Sequence, residues 1–278
     1  MAERLSVLLL LAAMVGCASR PVNPSFSVSE NEAKKIIEWI EASPRALDRP
    51  VVVLAGWADP GFVNSYLVNQ LERAGVPSDE VLGFKFIFKG DFDRCRDHVV
   101  GAVQAAWPSD EAGWTTEVDV VAFSMGGLVA RYCAAPRLPG EADEPAGLEA
   151  EDVESKRRLK IRRLFTISTP HRGAALAWVP TFDRRVIDMR AGSGFLVHLD
   201  RVLPNAGYRL VPYTRLGDPV VGSERTAPAG IHPWWVDTPP LHRSHQEAYR
   251  DPRIRADILR RLRGETPLTT EPAAALPE

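Results

Sequence analysis

The stretch "AFSMGG", residues 122–127, sets one hydroxyl, Ser124, among small residues where two different apolar patterns meet. Before it, "VDVVAF" is an unbroken apolar-rich run of the kind a buried strand shows. After it, Leu128, Val129 and Tyr132 share one face of a helix. Serine acts as a nucleophile only if its oxygen projects beyond the backbone that carries it. A strand–turn–helix bend achieves this by holding the serine in a strained conformation at the top of a sheet. Such a bend presses the residues two before and two after the serine against neighbouring chain, so both must be small. Ala122 and Gly126 satisfy that demand, and Gly127 lets the helix approach the sheet closely. The helix start also turns backbone N–H groups toward the site, where they can stabilise an oxyanion. The competing reading is a tight turn whose serine merely caps the helix.

A bend of this kind needs a sheet around it, and the flanking sequence supplies one. "PVVVLAGWADPGF" is a buried strand running into a loop, "NSYLVNQLERAG" a helix stopped by Gly75, "VLGFKFIF" a strand, and residues 93–107 a helix. An earlier helix starts at the cap Ser29, with Ile36, Ile37 and Ile40 on one face. "RLFTIS" and "YRLVPYTRLGD" read as later strands, and "DPRIRADILRRLRG" as a closing amphipathic helix. Alternating strands and helices predict a mostly parallel sheet with helices on both faces. Residues 137–160 interrupt the pattern with an acidic, then basic, solvated excursion, and residues 174–207 mix apolar and turn residues as a small cap segment would.

On these residues the chain resembles the α/β-hydrolase superfamily, specifically the bacterial triacylglycerol lipase and esterase group. "AFSMGG" looks like the alanine-first form of that group's serine motif, and "TISTPHRGA" (166–174) like its "TPHxG" loop. "VIDMRAGSGFLVHL" (186–199), "LGDPVV" and "SHQEAYRDPRI" are similar to its later segments, and the resemblance spans roughly residues 50 to 262. It implies an α/β-hydrolase fold and ester hydrolysis through an acyl-enzyme, with the chain order serine, acid, histidine.

Asp218 lies just past a strand, at the end where active-site loops gather, and fits the acid position. Asp237 is the fallback, while Asp183 and Asp188 fall in the cap segment. Of the six histidines, His98 precedes the serine, and His171 and His198 precede Asp218. His232, His242 and His245 remain, and His245 sits in the segment that looks like the group's histidine loop. Met125, next after the serine, should give one oxyanion donor through its backbone N–H. The resemblance puts the second at the backbone N–H of Trp57, although this chain has Ala55-Gly56 where many relatives have His-Gly. Trp57 could also wall the acyl pocket. The chemistry requires no metal or organic cofactor.

With 278 residues and a net charge of -2, the chain has the length for one large domain and no basic field suited to nucleic acid. Residues 1–16 resemble a bacterial lipoprotein signal, with an apolar run from Leu5 to Val15 and "MVGC" placing the small Gly16 before Cys17. That resemblance implies lipid modification of Cys17 and tethering of the mature chain without a transmembrane helix. Ala18 favours the outer membrane, facing the periplasm or cell surface; an ordinary signal would instead give a periplasmic or secreted protein. Residues 17–29 then form a tether, 30–263 the catalytic domain and 264–278 a disordered tail. Cys95 and Cys133 fall in predicted helices, where buried thiols and a bridge are both open.

The composite expectation is a serine-dependent hydrolase of lipid or acyl esters. The same three residues could serve an acyltransferase or thioesterase, and a catalytically silent lipoprotein of this fold would act by binding alone.

Overall fold

The computed structural model describes residues 20–87, 89–138 and 157–277. The signal-like segment, Cys17 and most of the 137–160 excursion therefore lie outside the described residues.

Six strands form one sheet in the order β2-β1-β3-β4-β5-β6, and each pairing is parallel. They are β1 (Val51–Leu54), β2 (Val81–Phe84), β3 (Val118–Phe123), β4 (Ile161–Ile167), β5 (Arg209–Arg215) and β6 (Trp234–Val236). β1 and β3 are buried at every residue, as strands covered on both faces must be. One face packs α1 (Glu30–Ala42), α2 (Phe62–Arg73) and α8 (Pro252–Leu262) against Val51, Val53, Val121 and Phe165. The other packs α3 (Phe92–Ala106) and α4 (Met125–Ala134) against Val52, Leu54, Val120 and Leu164. Ser29 caps α1 through a capping box with Glu32, as its position predicts.

Between β4 and β5 the chain makes a 3₁₀ turn (Ala175–Trp178), α5 (Arg184–Asp188) and α6 (Gly194–Val202). Phe195 and Leu199 of α6 join the α3/α4 core, and the Phe92 and Phe195 rings stack at 4.0 Å. Cys95 and Cys133 are free and buried, and burial pushes both thiols up to about 12. Among the described residues no helix is long and apolar enough to cross a membrane.

Four local expectations need correction. "VLGFKFIF" pairs only as far as Phe84, because the next carbonyls leave the ladder and that of Phe86 accepts Arg185 Nη1. Leu159, read as part of the solvated excursion, is fully buried, its N–H donating to the Cys133 carbonyl at 2.8 Å. Residues 20–29, read as tether, lie on the body: Phe26 is buried near the Tyr213 ring, and Asn23 Nδ2 donates to the Trp235 carbonyl at 2.7 Å. Residues 264–277, read as disordered, follow a defined path held by backbone and side-chain hydrogen bonds. Asp257 Oδ1 accepts Thr269 N at 3.2 Å, and Thr270 N reaches the Ser25 carbonyl at 2.8 Å.

Candidate active site

The strand order reverses between β1 and β3: from β1 the chain builds toward β2, from β3 toward β6. Loops leaving the carboxyl ends of those two neighbours diverge and leave a crevice between them. Ser124 follows β3 at this point with φ 52° and ψ −127°, outside the regions an L-residue ordinarily occupies. Its N–H donates to the Ile167 carbonyl at 2.8 Å, and its own carbonyl accepts Thr169 Oγ1 at 2.8 Å. The strained residue is thus tied down on both sides. A Cβ on Gly126 would stand 2.4 Å from the Leu54 carbonyl oxygen, and one on Gly127 would stand 2.2 Å from Thr169 Oγ1. The small residues around Ser124 are steric necessities of the bend. No side-chain cap hydrogen bond from Ser124 to its helix forms, so the capping explanation for this serine fails.

His245 Nε2 lies 3.1 Å from Ser124 Oγ, and His245 Nδ1 lies 2.8 Å from Asp218 Oδ2. An ionised carboxylate only accepts, so Nδ1 carries the proton and Nε2 faces the hydroxyl with its lone pair free. Asp218 enters from the loop after β5. Its Oδ1 accepts the N–H groups of Val220 and Val221, both at 2.9 Å, which leaves Oδ2 for the imidazole. His245 enters on the short helix α7 (Ser244–Glu247) after β6. Ser244 Oγ donates to the Gly217 carbonyl at 2.7 Å and pins that helix to the Asp218 loop. The Phe123 ring packs 5.2 Å from the imidazole, and both His245 and Asp218 are buried.

The other sequence candidates lie elsewhere. Asp237 pairs with Arg253 and Arg20, His242 with Glu247, and His232 is exposed. His98 packs edge-on to Phe84, and His198 bonds the Pro136 carbonyl. His171 is fully buried between Arg131 Nη1 at 3.1 Å and Thr166 Oγ1 at 3.0 Å. Arginine only donates, so Nδ1 accepts and Nε2–H donates to the threonine. Burial, then the Arg131 charge, holds its pKa well below the ordinary histidine value, consistent with a neutral structural imidazole.

The loop after β1 crosses the same crevice. A Cβ on Gly56 would stand 3.1 Å from the Ser124 Cβ, so this backbone runs directly against the serine. Asp59 caps α2 by accepting Val63 N at 3.1 Å. The Trp57 indole Nε1–H donates to Asp183 Oδ2 at 2.7 Å. Asp183 in turn chelates Arg185, with Oδ1 to Nε at 3.0 Å and Oδ2 to Nη2 at 2.7 Å. Burial raises the Asp183 pKa, but hydrogen bonds from Arg185 and Trp57 outweigh it and hold the carboxyl below its ordinary value. The sequence placed Asp183 in the cap segment with no sign of this partner, since nothing in local spacing links positions 57 and 183.

Above Ser124 and His245 opens a cleft of about 600 Å³. Phe62, Val63, Leu176, Val179, Val186, Met189, Val220 and Val221 are among its walls, and Trp57 also lines it. The cap segment thus forms one side of the crevice. A reacting carbonyl carbon set against Ser124 Oγ would leave its substituent in apolar surroundings.

No family model matches the sequence, and no curated protein does. Among solved structures, the chain is similar to the phospholipase PlaB of Legionella pneumophila, with a TM-score of 0.51 and 13% identity, covering 78% of this chain and 60% of that one. It is also similar to the Bacillus licheniformis lipase BlEst2 in its propeptide form, with a TM-score of 0.50 and 13% identity, covering 84% of this chain and 54% of that one. The chain thus spans less than two thirds of the length of PlaB and of the propeptide form of BlEst2. At this identity the likeness speaks for architecture alone, and with the six-stranded parallel sheet it gives the chain the α/β-hydrolase fold.

Proposed function

We propose that the protein is a serine-dependent carboxylic ester hydrolase acting through an acyl-enzyme. Ser124 is the nucleophile, His245 the general base and Asp218 the residue that orients and stabilises the imidazolium. The observation that carries this reading is the unbroken relay from Asp218 Oδ2 through His245 to Ser124 Oγ, with contacts of 2.8 and 3.1 Å, at the floor of an apolar cleft.

His245 Nε2 takes the Ser124 proton as Oγ attacks the ester carbonyl. The backbone N–H groups of Met125 and Trp57 receive the oxyanion, the first at the start of α4, the second from the loop against Ser124. The imidazolium then gives its proton to the departing alcohol. A water molecule, deprotonated by the same nitrogen, releases the acid and restores the serine. The chain's own residues suffice for each step. The walls of the cleft favour an apolar acyl group, and lipid or other long-chain esters fit that chemistry. The two solved proteins named above are a phospholipase and a lipase, which agrees with this reading while lending only their fold. Lipid modification at Cys17 belongs to the same proposal and would hold the enzyme at a membrane bearing such esters.

The test is covalent labelling by a fluorophosphonate probe together with hydrolysis of p-nitrophenyl esters of rising chain length. Labelling and turnover should both vanish in Ser124→Ala. A folded wild-type protein that neither labels nor hydrolyses any of the esters would refute the proposal. Adding an alcohol acceptor to the assay separates hydrolysis from acyl transfer.

A further inference from the structure

The oxyanion loop of this chain has an anchor outside the loop itself. Residues 55–61 carry Trp57 between Gly56, whose backbone touches the serine, and Ala58, whose φ of 56° is costly for a residue with a Cβ. Asp59 fastens the far end to the first turn of α2. Between those points the Trp57 side chain reaches across the cleft mouth to Asp183, at the N-terminal cap of α5. Asp183 is not free to follow the indole. Its two oxygens are held by Arg185, and Arg185 Nη1 is bonded to the Phe86 carbonyl, just past the neighbouring strand β2. A chain of hydrogen bonds therefore runs from the body of the sheet through Arg185 and Asp183 to the indole.

We propose that Asp183 is a positioning residue for ester hydrolysis, fixing through the Trp57 indole the orientation of the Trp57 backbone N–H toward the oxyanion. This inference rests on the serine-hydrolase reading above. An oxyanion donor is effective when it is already aimed where charge develops, and a strained loop without a fixed side chain would have to be reoriented in each turnover. Indole and backbone N–H belong to one residue, so holding the ring at 2.7 Å from a clamped carboxylate limits rotation of the peptide before it. The cap segment thereby serves the oxyanion site as well as walling the cleft.

The test uses the whole protein and four variants: Trp57→Phe, Asp183→Asn, the double variant, and Ser124→Ala. Trp57→Phe keeps an aromatic wall and the backbone N–H but removes the indole donor. Asp183→Asn is isosteric. With its oxygen kept on Arg185 N and Nε as helix cap, it turns an NH₂ toward the indole and toward Arg185 Nη2. Each single variant should lower kcat by about tenfold, less than the ~10²-fold or more that follows outright loss of an oxyanion donor. KM for the same ester should change by less than about twofold, since phenylalanine keeps the aromatic wall and the lost hydrogen bond runs to Asp183, not to substrate. The double variant should lose about tenfold rather than ~100-fold, because the indole contact that Trp57→Phe removes is already lost in Asp183→Asn. Phosphonylation of Ser124 by the probe should slow in parallel. Losses that multiply, a rise in KM with kcat unchanged, or an unaffected Trp57→Phe would each overturn the inference. Thermal melting identifies any variant that fails to fold, and should Asp183→Asn do so, the kcat-against-KM split of Trp57→Phe decides alone. Retained turnover in Ser124→Ala would bring down the hydrolase reading and this inference with it. Loss of turnover there, with multiplicative losses in the other variants, would bring down the inference only.

Discussion

Asp218→Asn is the sharpest probe of the relay, because the structure dictates which way the new amide must face. Oδ1 of Asp218 accepts two backbone N–H groups, from Val220 and Val221, both at 2.9 Å. The asparagine oxygen keeps those bonds, and the NH₂ is left facing His245 Nδ1. A donor there forces the imidazole into the tautomer with its proton on Nε2, pointing at Ser124 Oγ, where it cannot accept the serine proton. Amidation of the orienting aspartate in a serine triad costs about 10⁴ in kcat, which at 1.36 kcal/mol per decade is roughly 5 kcal/mol. The escape route is to flip the amide. Flipping turns NH₂ against two N–H donors and leaves both unpaired, at about 1–3 kcal/mol each. Even the lower figures total about 2 kcal/mol, so the flipped form would hold turnover at least ~30-fold below wild type. The assay is kcat/KM on a short p-nitrophenyl ester, with thermal melting to confirm an isosteric, folded variant. Activity within tenfold of wild type, with Ser124→Ala inactive, would refute the assigned role of Asp218.

Further outcomes are expected. His171 is held neutral when folded, so its folded pKa lies below the unfolded value of about 6.5. Its share of stability is whole above that pH and is lost as pH falls toward the lower folded value, because the unfolded chain binds the extra proton. Urea midpoints should therefore drop from pH 7 to pH 5, with a smaller slope in His171→Gln; equal slopes would refute this. Gly126→Ala should destabilise by about 3 kcal/mol or abolish soluble expression, because its Cβ meets backbone oxygens at 2.4 and 2.6 Å. Gly101→Ala, in the interior of α3 with nothing within 4 Å, should stabilise by about 0.5–1 kcal/mol in the same unfolding assay. Leu176→Asp, at an exposed position on the cleft wall, should spare short esters and penalise long ones, by roughly fourfold in kcat/KM for each substrate methylene left in water. A uniform loss across chain lengths would argue that acyl chains do not run past Leu176.

The sheet was legible because its central strands are apolar runs too short for helices, each followed by a loop and a helical period. The serine bend was legible for a steric reason: Gly126 and Gly127 lack side chains because Leu54, Ala55 and Thr169 crowd them. Asp218 could be singled out because it lies just past a late strand, whereas chain order left His232, His242 and His245 open and only the resemblance to the histidine loop favoured the last. β6 escaped notice since its ladder has three residues, too few to carry a period. The Trp57–Asp183 contact escaped for a different reason: its partners are 126 positions apart and no local spacing links them. Polar, proline-rich ends look unstructured in sequence because their partners are equally remote, as with Ala274 N on Ser25 Oγ across 249 positions.

Those remote bonds have a consequence for the border of the sheet. β6 is its last strand, and an outermost strand invites pairing by any stray extended chain. Here the Trp235 carbonyl is taken by Asn23, its indole N–H by the carbonyls of Ala274 and Ala275, and Ser25 stitches the two terminal segments together. Trimming either end as dispensable would uncover a tryptophan-rich margin beside the loop that carries His245. Shortened versions of the protein should therefore self-associate before they lose their active-site chemistry.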